Sequence, residues 1–328
     1  MDTKRQALLL LLVLTIFPFT IKASSSGGIA IYWGQNLGDG TLTSTCDTGN
    51  YEIVLLAFLN VFGGGRVPSW NFAGHCGDWS PCTKLEPEIK HCQQKGVKVL
   101  LSLGGAIGSY SLSSPEDAKN VADYLNAKFL SGQSGPLGSV TLDGIDFDIE
   151  GGTNLYWDDL ARELDNLRQQ NSYFYLSAAP QCPRPDHYLD KAIKTGLFDY
   201  VLVQFYNNPS CQYNQANGDA TDLLKSWNDW TSSVLPNNTV FMGLPASPDA
   251  AGNGYIPPND LISKVLPIIK QTSNYGGVML WDRFHDVGND YSNQIKKYVK
   301  RPVLRFVTKV SEAIVGSISA SLNSMFPN

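Results

Sequence analysis

The sequence predicts an α/β protein of the (β/α)8 TIM-barrel class, a single barrel domain with three disulfides. Three observations carry that expectation: apolar or β-branched runs alternate with amphipathic segments, the runs number eight, and no linker-like stretch or solenoid repeat divides the chain. Near-continuous apolar strands suit a parallel sheet covered by helices, and eight such units favour closure over an open doubly wound sheet. Length alone, 328 residues, would also allow two smaller domains; one barrel accounts for all of it.

The strand candidates are Ile29 to Trp33, Ile53 to Asn60, Val97 to Leu103, Gly144 to Glu150, Phe174 to Ala178, Tyr200 to Tyr206, Val240 to Leu244, and Val278 to Trp281. Helical patterns fall between most of them: Leu85 to Lys95, Pro115 to Phe129 behind the N-cap candidate Ser114, Trp157 to Gln170, Tyr188 to Thr195, Asp222 to Ser233, and Asp260 to Lys270. The gap between the second and third strands is long. It holds Gly63-Gly64-Gly65 and three cysteines, and reads as a disulfide-pinned insertion.

The ends of the chain read differently. Lys4 and Arg5 precede the apolar run Ala7 to Phe19, which small residues follow, so residues 1–23 are expected to be a secretory signal peptide; the run is shorter than the roughly 20 residues of a membrane anchor. The barrel is then expected over 24–300. Six cysteines in a secreted chain imply three disulfides and leave their pairing open. A zinc site of His75, Cys76, Cys82 and Cys92 is the alternative, with spacings that match no common finger. Asn237-Asn238-Thr239 is the one glycosylation sequon. With 25 basic and 30 acidic residues and no long basic run, the chain lacks the counter-charge for a phosphate backbone, so neither nucleic acid nor a membrane is expected as partner. An uncharged substrate and a monomer fit better.

In such barrels the chemistry sits at the C-terminal strand ends. The fourth strand, Leu142-Asp143-Gly144-Ile145-Asp146-Phe147-Asp148-Ile149-Glu150, alternates with period two. Strand side chains alternate faces, so Ile145, Phe147 and Ile149 should meet the helices while Asp146, Asp148 and Glu150 line the interior, roughly 6.6 Å apart at Cα. Three acids on one dry wall cannot all ionise. The expectation is that Asp146 and Asp148 share a proton and that Glu150, nearest the mouth, has a raised pKa suited to a general acid. Two other readings stand beside it: an edge strand with solvated acids, and a Mg²⁺ or Ca²⁺ site. At other strand ends, Gln204 and Tyr206 share a face, Trp281 could floor a sugar site, and Tyr32, Gln35 and Gly104-Gly105 could line a mouth. Tyr206 and Trp281 could equally be core residues.

Those residues resemble a known family. Asp143 to Glu150 looks like the DxxDxDxE signature of glycoside hydrolase family 18, and Ser102-Leu103-Gly104-Gly105 resembles its second motif. Ile29 to Asn36, Gln204 to Pro209 and Gly277 to Trp281 narrow the resemblance to plant class III, hevamine-type chitinases, over about Gly27 to Tyr298. The resemblance implies an endochitinase that cleaves β-1,4-linked N-acetylglucosamine polymers with retention, by substrate-assisted catalysis and without a cofactor. Glu150 would be the acid, Asp148 would hold the substrate's acetamido N–H, Tyr206 its carbonyl, and Asp146 would exchange a hydrogen bond with Asp148. Trp281, Gln204, Tyr32, Gln35, Asn71 and the Gly105 backbone would contact substrate. It also implies disulfides Cys46–Cys92, Cys76–Cys82 and Cys182–Cys211, and cis peptides at Ala57-Phe58 and Trp281-Asp282 that place Phe58 and Trp281 in the pocket. Residues 301–328 run past the family's barrel and read as a vacuolar-sorting propeptide, an added helix or a disordered end. A catalytically silent relative, such as a xylanase inhibitor or storage protein, is one rival reading; an acidic cation-binding protein is another.

Overall fold

The computed structural model describes residues 27–77, 80–170 and 173–301. The expected signal peptide, and the C-terminal extension apart from Arg301, lie outside the described residues. Eight parallel strands form the barrel: β1 (Gly28–Trp33), β2 (Ile53–Phe62), β3 (Lys98–Gly105), β4 (Gly144–Ile149), β5 (Tyr175–Ala178), β6 (Tyr200–Gln204), β7 (Thr239–Pro245) and β8 (Tyr275–Trp281). Each pairs with the next, and β8 returns to pair with β1, so no edge is left and the edge-strand reading of β4 falls away.

Two apolar layers follow from the period-two alternation. Ile29, Ile31, Ile145, Phe147 and Ile149 belong to the outer core against the helices, whereas Ala30, Tyr32, Leu55, Leu100, Leu202 and Met279 pack inside the barrel. The helix Trp157–Gln170 shows the outer layer at work. It buries Trp157, Leu160, Ala161 and Leu164 on one stripe, each large side chain stabilising by about 1.5–3 kcal/mol.

The helices depart from expectation in three ways, the first being that the expected helix Pro115 to Phe129 is α-helical only over Pro115–Leu125 and π-helical over Asn126–Leu130. The segment after β7 is not one helix: a short turn at Pro258–Asp260 passes into a π-helical stretch, Leu261–Val265, before Leu266–Ile269. Pro267 has no N–H to donate and its ring crowds the preceding turn, which accounts for the widened winding just before it. Three helices were not anticipated: Leu42–Asp47, Arg283–Asn289 and Tyr291–Val299. The first is short and polar, held by Thr41, which accepts from the Ser44 N–H, and by the Cys46–Cys92 bond.

The cysteines pair as the resemblance implies, Cys46–Cys92, Cys76–Cys82 and Cys182–Cys211. All three thiols of the zinc alternative are therefore taken up. The insertion after β2 folds into a small antiparallel hairpin, Ser69–Phe72 with Cys76–Gly77, which the Cys76–Cys82 bond anchors. Asn237 of the sequon is exposed.

The start and end of the barrel meet at its N-terminal face, where the Tyr275 hydroxyl donates to the Val299 carbonyl at 2.8 Å. The β1–β8 seam above it depends on a close backbone approach. Gly277 adopts φ 136° opposite Gly28, and a Cβ there would lie 1.9 Å from the Gly28 carbonyl oxygen. Gly277→Ala should therefore destabilise the barrel by roughly 3 kcal/mol or more, measured by denaturant unfolding; an unchanged midpoint would mean that the seam can shift to admit a methyl group.

Candidate active site

The mouth is built from the C-terminal ends of β1, β2, β4, β6 and β8. Asp146 lies deepest and is fully buried. Its carboxylate accepts from Tyr32 at 2.9 Å, Ser102 at 2.6 Å and Ser177 at 2.5 Å, three hydroxyls from three other strands. Burial still raises its pKa, with the hydroxyls opposing. One position outward, Asp148 is 2% exposed; its Oδ1 accepts from Gln204 Nε2 at 2.9 Å, and it shares a hydrogen bond with Glu150. Burial, then the charges of Glu150 and Asp146, push Asp148 far above the ordinary carboxylate range. Glu150 is half-buried at the lip, with Oε1 3.3 Å from Gln204 Nε2, and its pKa is raised chiefly by burial.

The hydrogen-bonded carboxyl pair is thus Asp148 with Glu150, where Asp146 with Asp148 was expected. Asp146 instead accepts from three hydroxyls, while its charge still acts on Asp148. Among the described residues no cluster of three or more His, Cys, Asp or Glu is arranged to hold a metal ion.

Tyr206 is 7% exposed and faces the carboxylates, whose charges, after burial, hold its pKa well above 10. It is therefore a permanent donor, and among the described residues its hydroxyl has no hydrogen-bond partner. Trp281 stacks on Phe58 with centroids 6.0 Å apart and planes 19° apart, and tilts against Tyr32 at 5.4 Å. The Ala57-Phe58 and Trp281-Asp282 peptides are cis, as the resemblance implied. Gln204 reaches Asp148, Glu150 and the Ala179 carbonyl with one amide nitrogen.

Four of the expected substrate contacts also make structural hydrogen bonds within the protein. Tyr32 is 2% exposed with its hydroxyl on Asp146, so it positions that acid from beneath. Gln35 donates to the carbonyls of Ala57 at 2.7 Å and Asn71 at 3.1 Å, bracing β2 and the hairpin, and leaves its carbonyl oxygen facing away from those bonds. Asn71 is exposed, its Oδ1 accepting from Ala73 N–H. The Gly105 carbonyl is already occupied by the Tyr110 hydroxyl at 2.6 Å, and a Cβ on Gly105 would come within 2.8 Å of the Phe58 ring. That glycine makes room for Phe58.

Sequence reasoning missed Ser102, Ser177 and Tyr110. Ser102 and Ser177 lie level with Asp146 on the neighbouring strands, so the alternation that located the acids would have found them. Tyr110 also accepts from the Glu150 N–H at 3.1 Å, fixing the backbone that carries the outermost acid.

A family model for the glycosyl hydrolases family 18 matches residues 28–255. The chain belongs to that family and, within it, to the plant class III chitinases. An acidic endochitinase of Vitis vinifera is 55% identical over 285 residues, 85% of this chain and 94% of the relative. A solved chitinase from Ipomoea carnea is 52% identical with a TM-score of 0.78, covering 83% of this chain and all of that one. A xylanase and alpha-amylase inhibitor protein from Scadoxus multiflorus shares the fold at 44% identity and a TM-score of 0.77, covering 83% of this chain and 98% of the inhibitor.

The buried acids should oppose stability at neutral pH. For a carboxyl whose folded pKa is raised, the folded state binds more protons than the unfolded chain above the model value of 3.8, so stability is greatest at low pH and falls as pH rises through the folded pKa. Asp148→Asn should accordingly raise the melting temperature at pH 7 and gain much less at pH 4. Thermal melts at the two values check this; an equal gain at both would remove the charge as its cause.

Proposed function

We propose that the protein is an endochitinase that cleaves β-1,4-linked N-acetylglucosamine polymers with retention of configuration. One observation carries the reading: a half-exposed Glu150 with a raised pKa is hydrogen-bonded to buried Asp148, and an unclaimed Tyr206 hydroxyl faces both.

A protonated Glu150 donates to the scissile glycosidic oxygen as that bond to the anomeric carbon breaks. The sugar's own 2-acetamido carbonyl oxygen attacks the same carbon and forms a cyclic oxazolinium ion. Asp148 accepts a hydrogen bond from the acetamido N–H and balances its growing positive charge, while Tyr206 donates to the carbonyl oxygen and fixes its direction of attack. Water then adds to the anomeric carbon, its proton passes to the Glu150 carboxylate, and the ring opens. The nucleophile is tethered to the reacting sugar, and well-oriented intramolecular groups reach effective concentrations of about 10⁵–10⁸ M, so no protein nucleophile is needed. Asp146, held by its hydroxyls, sets the field in which Asp148 and Glu150 exchange a proton.

The Trp281 ring serves as the floor for the reacting sugar, and Gln35 and Asn71 line the path of the chain away from it along β1 and β2. The enzyme is secreted, or vacuolar if residues 301–328 act as a sorting segment, and it works as a monomer on chitin or its oligosaccharides. A fold-relative is named as an inhibitor of xylanase and alpha-amylase, and a fold by itself does not fix function, so activity is the deciding test.

Glu150→Gln should lower release of reducing ends from colloidal chitin by about 10²–10⁴-fold, and Tyr206→Phe by about 10²-fold. In the wild type, activity should fall as pH rises through the raised Glu150 pKa. Equal activity of wild type and Glu150→Gln would remove Glu150 as the acid, and no release by either would favour a binding protein.

A further inference from the structure

A polymer cut at Glu150 must leave the barrel mouth on both sides of the bond. Trp281 on β8 and Glu150 after β4 stand on opposite walls, and Gln35, Asn71 and Gly105 follow β1 to β3 around one half of the rim. The other half of the chain must therefore exit over the loops that follow β4 to β6.

A cleft of about 320 Å³ lies there, between Asn154 on the loop after β4 and Pro185, Asp186, His187 and Tyr188 on the loop after β5, closed by Asp190 and Lys191 at the start of the helix Asp190–Lys194. That is the low end of the range for small-molecule sites. Its wall is a ring pair: His187 and Tyr188 meet edge-on with centroids 4.6 Å apart, His187 exposed and Tyr188 half-buried. The loop that carries them is tightly held. The buried Asp186 carboxylate accepts the backbone N–H groups of Gln181 at 2.9 Å, Tyr188 at 3.0 Å and Leu189 at 2.6 Å. Gln181 bridges to Gln204, the residue that touches both Asp148 and Glu150, and Cys182 is bonded to Cys211 beyond β6. Asp186 is also near enough for its charge to raise the pKa of Glu150. A rigid wall beside the proton donor is pre-organised for a ligand.

We infer that this cleft binds the N-acetylglucosamine residue on the leaving-group side of the scissile bond, with the His187 and Tyr188 rings as its platform. The inference rests on the proposed endochitinase activity and adds to it a subsite and a consequence. A sugar seated there competes with water for the oxazolinium ion: its hydroxyl oxygen bonds to the anomeric carbon, the ring C–O bond opens, and the hydroxyl proton goes to Glu150. The cleft thus governs transfer against hydrolysis.

The test uses His187→Ala, at an exposed position, and Tyr188→Leu, which keeps an apolar side chain against the core. Chitobiose oxazoline enters the reaction as the intermediate and carries no leaving sugar, so each variant should hydrolyse it within about twofold of wild type. Both should lose about tenfold in kcat/KM on chitohexaose and in the ratio of transfer to hydrolysis when chitobiose is added as acceptor, about one aromatic contact in size. Unchanged chitohexaose turnover and transfer ratio would overturn the subsite, as would equal losses on oxazoline and chitohexaose, which would mean damage to the catalytic centre. A wild type inert on both would instead overturn the underlying activity, and the subsite with it.

Discussion

The buried charge of Asp146 is the constraint around which the barrel mouth is arranged. An ionisable group at the closed centre of a sheet is tolerated only when its lone pairs are filled, and three hydroxyls from β1, β3 and β5 fill them. Those hydroxyls leave Asp148 to seek its partner outward, in Glu150, and that choice puts a proton at the solvent-facing end of the row. Tyr32 links the same anchor to the aromatic floor, because the ring whose hydroxyl holds Asp146 also packs against Phe58 and Trp281. Floor, anchor and acid form one connected assembly.

Much of this was legible in the sequence, for physical reasons that also explain the gaps. Strands buried on both faces must be apolar along most of their length, so all eight stood out, and the strict alternation in β4 fixed which residues face inward. Helices were harder. Leu42–Asp47 has no apolar stripe to reveal it, and the winding before Pro267 is decided by a missing donor that a periodic pattern does not register. In the site, the acids lie on the interior face as expected, but the hydroxyls around Asp146 were not anticipated: Ser102 and Ser177 lie level with it on the adjacent strands, and the Tyr32 side chain reaches it across the closed barrel. Gly105 was read as letting substrate approach its backbone; its missing side chain also makes room for Phe58.

The likeness to both chitinases and an inhibitor protein fits a division between scaffold and site. The hydrophobic layers and the β1–β8 closure specify the barrel regardless of what its mouth does, and the chemistry resides in a few side chains at strand ends. Asp148 illustrates the tension between the two. Its burial disfavours ionisation and so opposes folding at neutral pH, a cost that the barrel's apolar core offsets.

The junction of Tyr275 with Val299 has a practical corollary. The described chain enters the barrel at Gly28 and ends at the pole away from Glu150, so an engineered tether to a surface fused there in place of the residues that follow would sit behind the enzyme. Immobilised through that pole, the molecule would present its groove outward to an insoluble polysaccharide.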